Sequence, residues 1–145
     1  MTSLPLTPFN RLYDETMALL IEARGYAQNR VTQRPYRHEP ALNGLRSSCD
    51  ALRLTTRLAN VMAWVLAQRA VAAGEIENDE EMRSHYALND LDADLEENET
   101  LRARTSDPWL GGLLDRSRKL YYRVARIDRG LRAPSQGRGH ATHLQ

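Results

Sequence analysis

The feature that most constrains this chain is the stretch from Pro40 to Ala73, which carries an apolar residue at every third or fourth position and no internal proline. Leu42, Leu45, Cys49, Leu52, Thr56, Ala59, Ala63, Leu66 and Ala70 alternate these steps for over four heptads, the spacing of a helix seam that stays on one face. A second apolar line, Leu54, Leu58, Val61, Met62 and Val65, follows an adjacent face. One helix over this stretch is roughly 50 Å long at 1.5 Å per residue, and Gly74 supplies its stop. With two apolar lines it must be covered from more than one side. The heptad seam is expected to be core, and the second line to meet a third helix or a second copy of the chain.

Two further stripes of period 3.6 flank this helix. Thr7 and Pro8 suit a helix start. From there Phe9, Leu12, Tyr13, Thr16, Leu19, Leu20, Ala23, Tyr26 and Ala27 share one face as far as about Asn29. Asp107 and Pro108 repeat the start signal. Leu110, Leu113, Ser117, Leu120, Val124, Ile127 and Leu131 then step by three and four to about Arg132, widened by Trp109, Leu114 and Tyr121. No alternating strand pattern intervenes. The expected fold is therefore all-α: an antiparallel three-helix bundle over residues 1–132 with a long central helix. An acidic loop is expected at about 75–105, with a short helix possible around Glu80 to Leu88. Residues 133–145 mix Pro, Gly, Ser and His without an apolar period, and disorder is expected there.

The net charge of +1 conceals a basic–acidic–basic alternation: 9 basic and 5 acidic residues in 1–74, 3 and 11 in 75–105, 8 and 3 in 106–145. Cys49 is the single cysteine, so no internal disulfide forms and a thiolate zinc site is not expected. Met1 to Pro8 lacks the basic and apolar regions of a secretory signal. The most apolar run, Val61 to Val71, is interrupted by Gln68 and Arg69, far short of the ~20 residues of a membrane span. These readings predict a cytoplasmic protein that does not engage the membrane.

Catalytic motifs are not found, and neither an enzyme activity nor a cofactor is expected. Cys49 has no nearby histidine to activate it. Asp90, Asp92 and Asp94 begin like a calcium loop, but Leu95 and Leu101 stand where that loop needs glycine and glutamate. His140 and His143 alone make a poor metal site. Two charged faces remain. Arg116, Lys119, Arg123 and Arg126 form a basic stripe on the last helix, which makes nucleic-acid contact an alternative function. On the central helix, Arg53, Arg57, Asn60, Trp64 and Gln68 share a polar strip. Trp and Arg are enriched at binding hot spots, so these five are the candidate partner-binding residues; the competing reading has Trp64 packed beneath another helix.

The string Leu-Arg-Leu-Thr-Thr-Arg-Leu at 52–58, followed by Ala63-Trp-Val-Leu-Ala-Gln-Arg-Ala-Val71 and Ala73-Gly-Glu75, resembles the alphaproteobacterial regulator-of-CtrA-degradation (RcdA) family. Phe9-Asn-Arg-Leu-Tyr13 with Ala23-Arg-Gly-Tyr26 resembles that family's first helix. Arg116-Ser-x-x-Leu-Tyr121 with Arg123-Val-x-Arg-x-Asp128 resembles its third. The resemblance implies a three-helix bundle that forms a homodimer and works as an adaptor. Its partners would be substrate proteins such as a cell-cycle transcription factor, a response-regulator adaptor, and the ClpXP protease. It supplies no catalytic residues.

Overall fold

The structure is a computed structural model that describes residues 6–33, 41–88 and 107–132. The expected tail and residues 89–105 of the acidic loop lie outside these. The described chain is all-helical, with four helices rather than three. They are α1 (Leu6–Gln33), α2 (Ala41–Ala72), the short α3 (Glu80–His85) and α4 (Pro108–Arg132).

Several helix ends follow from local chemistry. At the start of α4 the Asp107 carboxylate accepts the Trp109 N–H at 3.0 Å, which satisfies a donor that the first turn leaves without an intrahelical partner. Asp79 does the same for α3, accepting the Met82 N–H at 2.8 Å. At the end of α2, Gly74 takes φ +75°, a conformation that a side chain resists. Its N–H donates to the Val71 carbonyl at 3.0 Å, and the Glu75 N–H donates to the Ala70 carbonyl at 2.9 Å. This paired closure consumes two carbonyls that the last turn would otherwise leave open. Helix α1 continues to Gln33, past the stop expected near Asn29.

The three long helices pack on one another around a core drawn from all of them. It takes Phe9, Leu12, Leu19 and Tyr26 from α1, Leu54, Leu58, Val61, Trp64 and Val65 from α2, and Leu110, Leu113, Leu114, Leu120, Tyr121 and Val124 from α4. Cross-links between helices give their directions. Tyr26 reaches Asp107, Glu22 reaches Arg116 and Glu15 reaches Arg123, so α4 runs antiparallel to α1. Arg57 reaches Ser117 and Trp64 reaches Asp128, so α4 runs alongside α2 in the same direction. The expected alternation of direction therefore does not extend to α4.

The largest correction concerns which face of α2 is inside. The expected seam faces solvent: Leu45 is 62 % exposed, Leu52 68 % and Leu66 47 %, and Cys49, Thr56, Ala59 and Ala63 are exposed with them. The second line supplies the core, with Leu54, Leu58, Val61 and Val65 at 1 % or less and Met62 half-buried. Side-chain size explains the choice. The seam sets its leucines among the smaller Cys49, Thr56, Ala59, Ala63 and Ala70, whereas the opposite face holds Leu, Val and Trp64. Burial stabilises by about 25 cal/mol per Å² of apolar surface, so the face with the larger side chains takes the inside. Regular spacing identifies a stripe but does not say which of two stripes wins.

Leu58→Ala should therefore lower the unfolding free energy by about 2–5 kcal/mol, while Ile21→Ala on exposed α1 surface should change it by less than about 0.5 kcal/mol. Urea titration followed by circular dichroism checks both; similar costs at the two sites would contradict this core.

Candidate functional site

The five candidate partner-binding residues on α2 separate into two groups. Arg57, Trp64 and Gln68 are buried, Asn60 is half-buried, and Arg53 is exposed. Leu54, Leu58, Val61 and Val65 hold this side of α2 against its neighbours, so a side chain on the same arc is carried inward with them. Trp64 is 1 % exposed, packs edge-on against Phe9 with ring centroids 6.1 Å apart, and donates its indole N–H to Asp128 Oδ1 at 3.0 Å. The Asp128 carboxylate also receives Arg132 at 3.0 Å. A buried indole satisfied in this way joins α1, α2 and α4 at one point.

Arg57, 2 % exposed, makes a second joint lower on the same helices. Its Nη1 donates to the Leu114 carbonyl at 3.2 Å and to Ser117 Oγ at 2.9 Å. The Ser117 hydroxyl donates in turn to the same carbonyl at 2.9 Å. A buried guanidinium is tolerated only where acceptors meet it, and the heptad position of Ser117 supplies one where an apolar residue would not. Asn60 turns its amide Nδ2 inward, with no hydrogen-bond partner for that atom among the described residues. The expected partner strip is thus mostly internal fastening, because Trp64 and Arg57 are spent on α4. Of the five, Arg53 is the one fully at the surface, and it is paired with Asp50 on the preceding turn at 3.4 Å.

The basic face of α4 is present, but much of its charge is engaged. Arg116 makes two hydrogen bonds to the Glu22 carboxylate on α1, at 2.7 and 3.0 Å. Arg123 pairs with Glu15 of α1, and Lys119 lies 3.2 Å from Asp115. Arg126 is exposed. The Arg116 hydrogen bonds hold the Glu22 carboxyl below its usual range, against the small opposing effect of burial. Because that shift is downward, the contribution of the pair is present above the ordinary carboxylate pKa and fades as pH falls through the lowered one. These exposed pairs align α4 on α1 more than they stabilise it.

Cys49 is exposed, on the stripe with Leu45, Leu52 and Leu66 rather than in the core as expected. Among the described residues no three His, Cys, Asp or Glu side chains gather as a metal site, and no helix is long and apolar enough to cross a membrane. Asp90, Asp92, Asp94, His140 and His143 lie outside the described residues. What the sequence reading missed was the roles of Ser117 and Asp128. Both sit on the α4 stripe or beside it, and a polar residue at a core heptad position was the available signal.

The described residues make an all-helical protein whose polar side chains fasten the core while an apolar helix stripe is left in solvent. The chain belongs to the family described as protein of unknown function DUF1465, whose model matches residues 3–145. Neither the curated proteins nor the solved structures compared with it gave a match.

Arg57→Glu should cost on the order of 3–5 kcal/mol, since it puts an unpaired charge against the Leu114 carbonyl, whereas Arg53→Glu should leave helicity and melting temperature nearly unchanged. Trp64→Phe should cost about 1.5–3 kcal/mol for the lost bond to a carboxylate. Thermal melts read all three, and an Arg57→Glu protein as stable as the native chain would contradict the buried joint.

Proposed function

We propose that this chain is a non-enzymatic adaptor of the RcdA type, a cytoplasmic three-helix bundle that helps deliver substrates such as a cell-cycle transcription factor to the ClpXP protease. The observation that carries the reading is the solvent-facing apolar stripe of α2, with Leu45, Leu52 and Leu66 each about half exposed or more. Contiguous apolar surface of this kind marks contact with another protein. The motif strings that resemble the adaptor family support the same reading. An adaptor needs no chemistry of its own. It holds substrate, response-regulator partner and protease together and raises the effective concentration of one near another.

The alternative, nucleic-acid contact through Arg116, Lys119, Arg123 and Arg126, draws less support. Three of the four are already engaged by Glu22, Asp115 and Glu15, and a cation committed to a carboxylate releases fewer counterions on binding phosphate.

Reconstituted proteolysis decides between them. With ClpXP, a response-regulator partner and a substrate, adding this protein should shorten the substrate half-life several-fold. If turnover is unchanged, and the protein instead binds duplex DNA with affinity that falls steeply between low and moderate salt, the adaptor reading fails and the nucleic-acid reading replaces it.

A further inference from the structure

We infer that the outer face of α4 at Tyr122, Arg126 and Arg129 docks an acidic helical segment of another protein. The proposal rests on the adaptor reading and gives the chemistry of one partner contact.

Three observations carry it. The first is which cations the fold has already engaged. Arg116 is held by Glu22, Arg123 by Glu15, Arg118 and Lys119 by Asp115, and Arg132 by Asp128. Arg126 and Arg129 are exposed and have no ion pair among the described residues. The exposed Glu75, Glu77, Glu80 and Glu81 pair with neither. Cations in the last turn of a helix face the negative end of its dipole, which accounts for Arg129 and Arg132. Arg126 lies outside that turn, so the dipole does not account for it.

The second is placement. Tyr122, Arg126 and Arg129 step by four and three, so they share one face over roughly 10 Å at 1.5 Å per residue. Arg126 follows the fully buried Val124 by two residues, about half a turn, and so points away from the core. Asp128, the carboxylate between the two arginines in sequence, is turned inward to Trp64. Tyr122 is half-buried, and its ring packs edge-on against buried Tyr121 with centroids 6.2 Å apart. Its hydroxyl has no hydrogen-bond partner among the described residues. Tyrosine and arginine are the types enriched at binding hot spots, and contact with Tyr121 fixes the Tyr122 ring before any partner arrives.

The third is the match to carboxylates. A guanidinium presents parallel N–H donors that one carboxylate accepts together. Side chains three residues apart on a helix stand roughly 5–6 Å apart at Cβ, the separation of glutamates three or four apart on a second helix. Two unengaged cations suit this short pattern better than a nucleic-acid backbone. With about two phosphate contacts, affinity falls only about tenfold between roughly 50 and 200 mM salt, against about 10³–10⁵-fold for a protein making 6–10 contacts. The same face on a second copy carries the same charges, which disfavours self-pairing through it.

Fluorescence anisotropy tests this with the full chain and a labelled helical peptide in which glutamates recur every third or fourth residue. The native chain should bind it. Arg126→Glu with Arg129→Glu should weaken binding at least about tenfold, with the thermal melt unchanged. Arg24→Glu with Arg46→Glu reverses two exposed arginines elsewhere and alters net charge equally, yet should change binding by no more than about twofold. Equal loss in both variants shows attraction to net charge alone and overturns the site, as does a native chain that does not bind the peptide. Should the first variant lose helicity, Arg126→Gln with Arg129→Gln must weaken binding at least about threefold; unchanged affinity overturns the proposal. Duplex DNA that binds more tightly than the peptide, through the same two arginines, makes the occupant a nucleic acid and overturns it too. A chain that binds the peptide through these residues but does not accelerate proteolysis removes the adaptor reading and leaves the docking face. A chain that accelerates proteolysis, while its Arg126→Glu, Arg129→Glu variant binds the peptide as the native does, removes the docking face and leaves the adaptor reading.

Discussion

Helix α2 has two apolar faces, and α1 and α4 cover one of them. Covering the face with Leu54, Leu58, Val61, Trp64 and Val65 removes the most apolar surface from water, because the other face interrupts its leucines with alanine, threonine and cysteine. From that choice the remaining features follow. Trp64 and Arg57 lie on the buried arc and need polar partners inside. Those partners come from α4, which fixes the direction of α4 along α2. The heptad stripe is left outside.

The polar joints do what an apolar core alone does poorly. Leucine and valine stripes tolerate sliding by a turn, since each residue finds a similar neighbour. A guanidinium that must meet the Leu114 carbonyl and Ser117, and an indole that must meet Asp128, tolerate much less, because a shifted register leaves a buried donor without an acceptor. The strings that carry the family resemblance contain these same groups: Arg57 in the first, Trp64 in the second, Ser117 and Asp128 on the last helix. The resemblance and the internal fastening coincide, so the residues that identify the chain are chiefly those that assemble it.

Function then falls to what assembly leaves over. The basic face of α4 is partly neutralised by α1, whose Glu15 and Glu22 fall seven residues apart and so meet Arg123 and Arg116, also seven apart, on the facing helix. The α2 stripe has no such use within one copy. It runs at a regular period from Leu45 to Leu66, with leucines set among small side chains and exposed to solvent.

Periodicity in the sequence was enough to determine that the described residues form three long helices, how α4 starts and how α2 stops. Asp107 and Gly74 act through neighbours within a turn, so their roles were legible without a fold. The set of apolar stripes was legible too, as was the competing possibility that Trp64 packs beneath another helix. What only the tertiary structure decided was which stripe of α2 faces inward, and with it the fate of Arg57, Trp64 and Leu52. That outcome depends on comparing the apolar area of two faces against the helices available to cover them, a comparison between distant segments that no local spacing contains. The direction of α4 was hidden for the same reason. Its stripe fits either orientation, and the pairs that select one, Arg57 with Ser117 and Trp64 with Asp128, join residues about sixty positions apart.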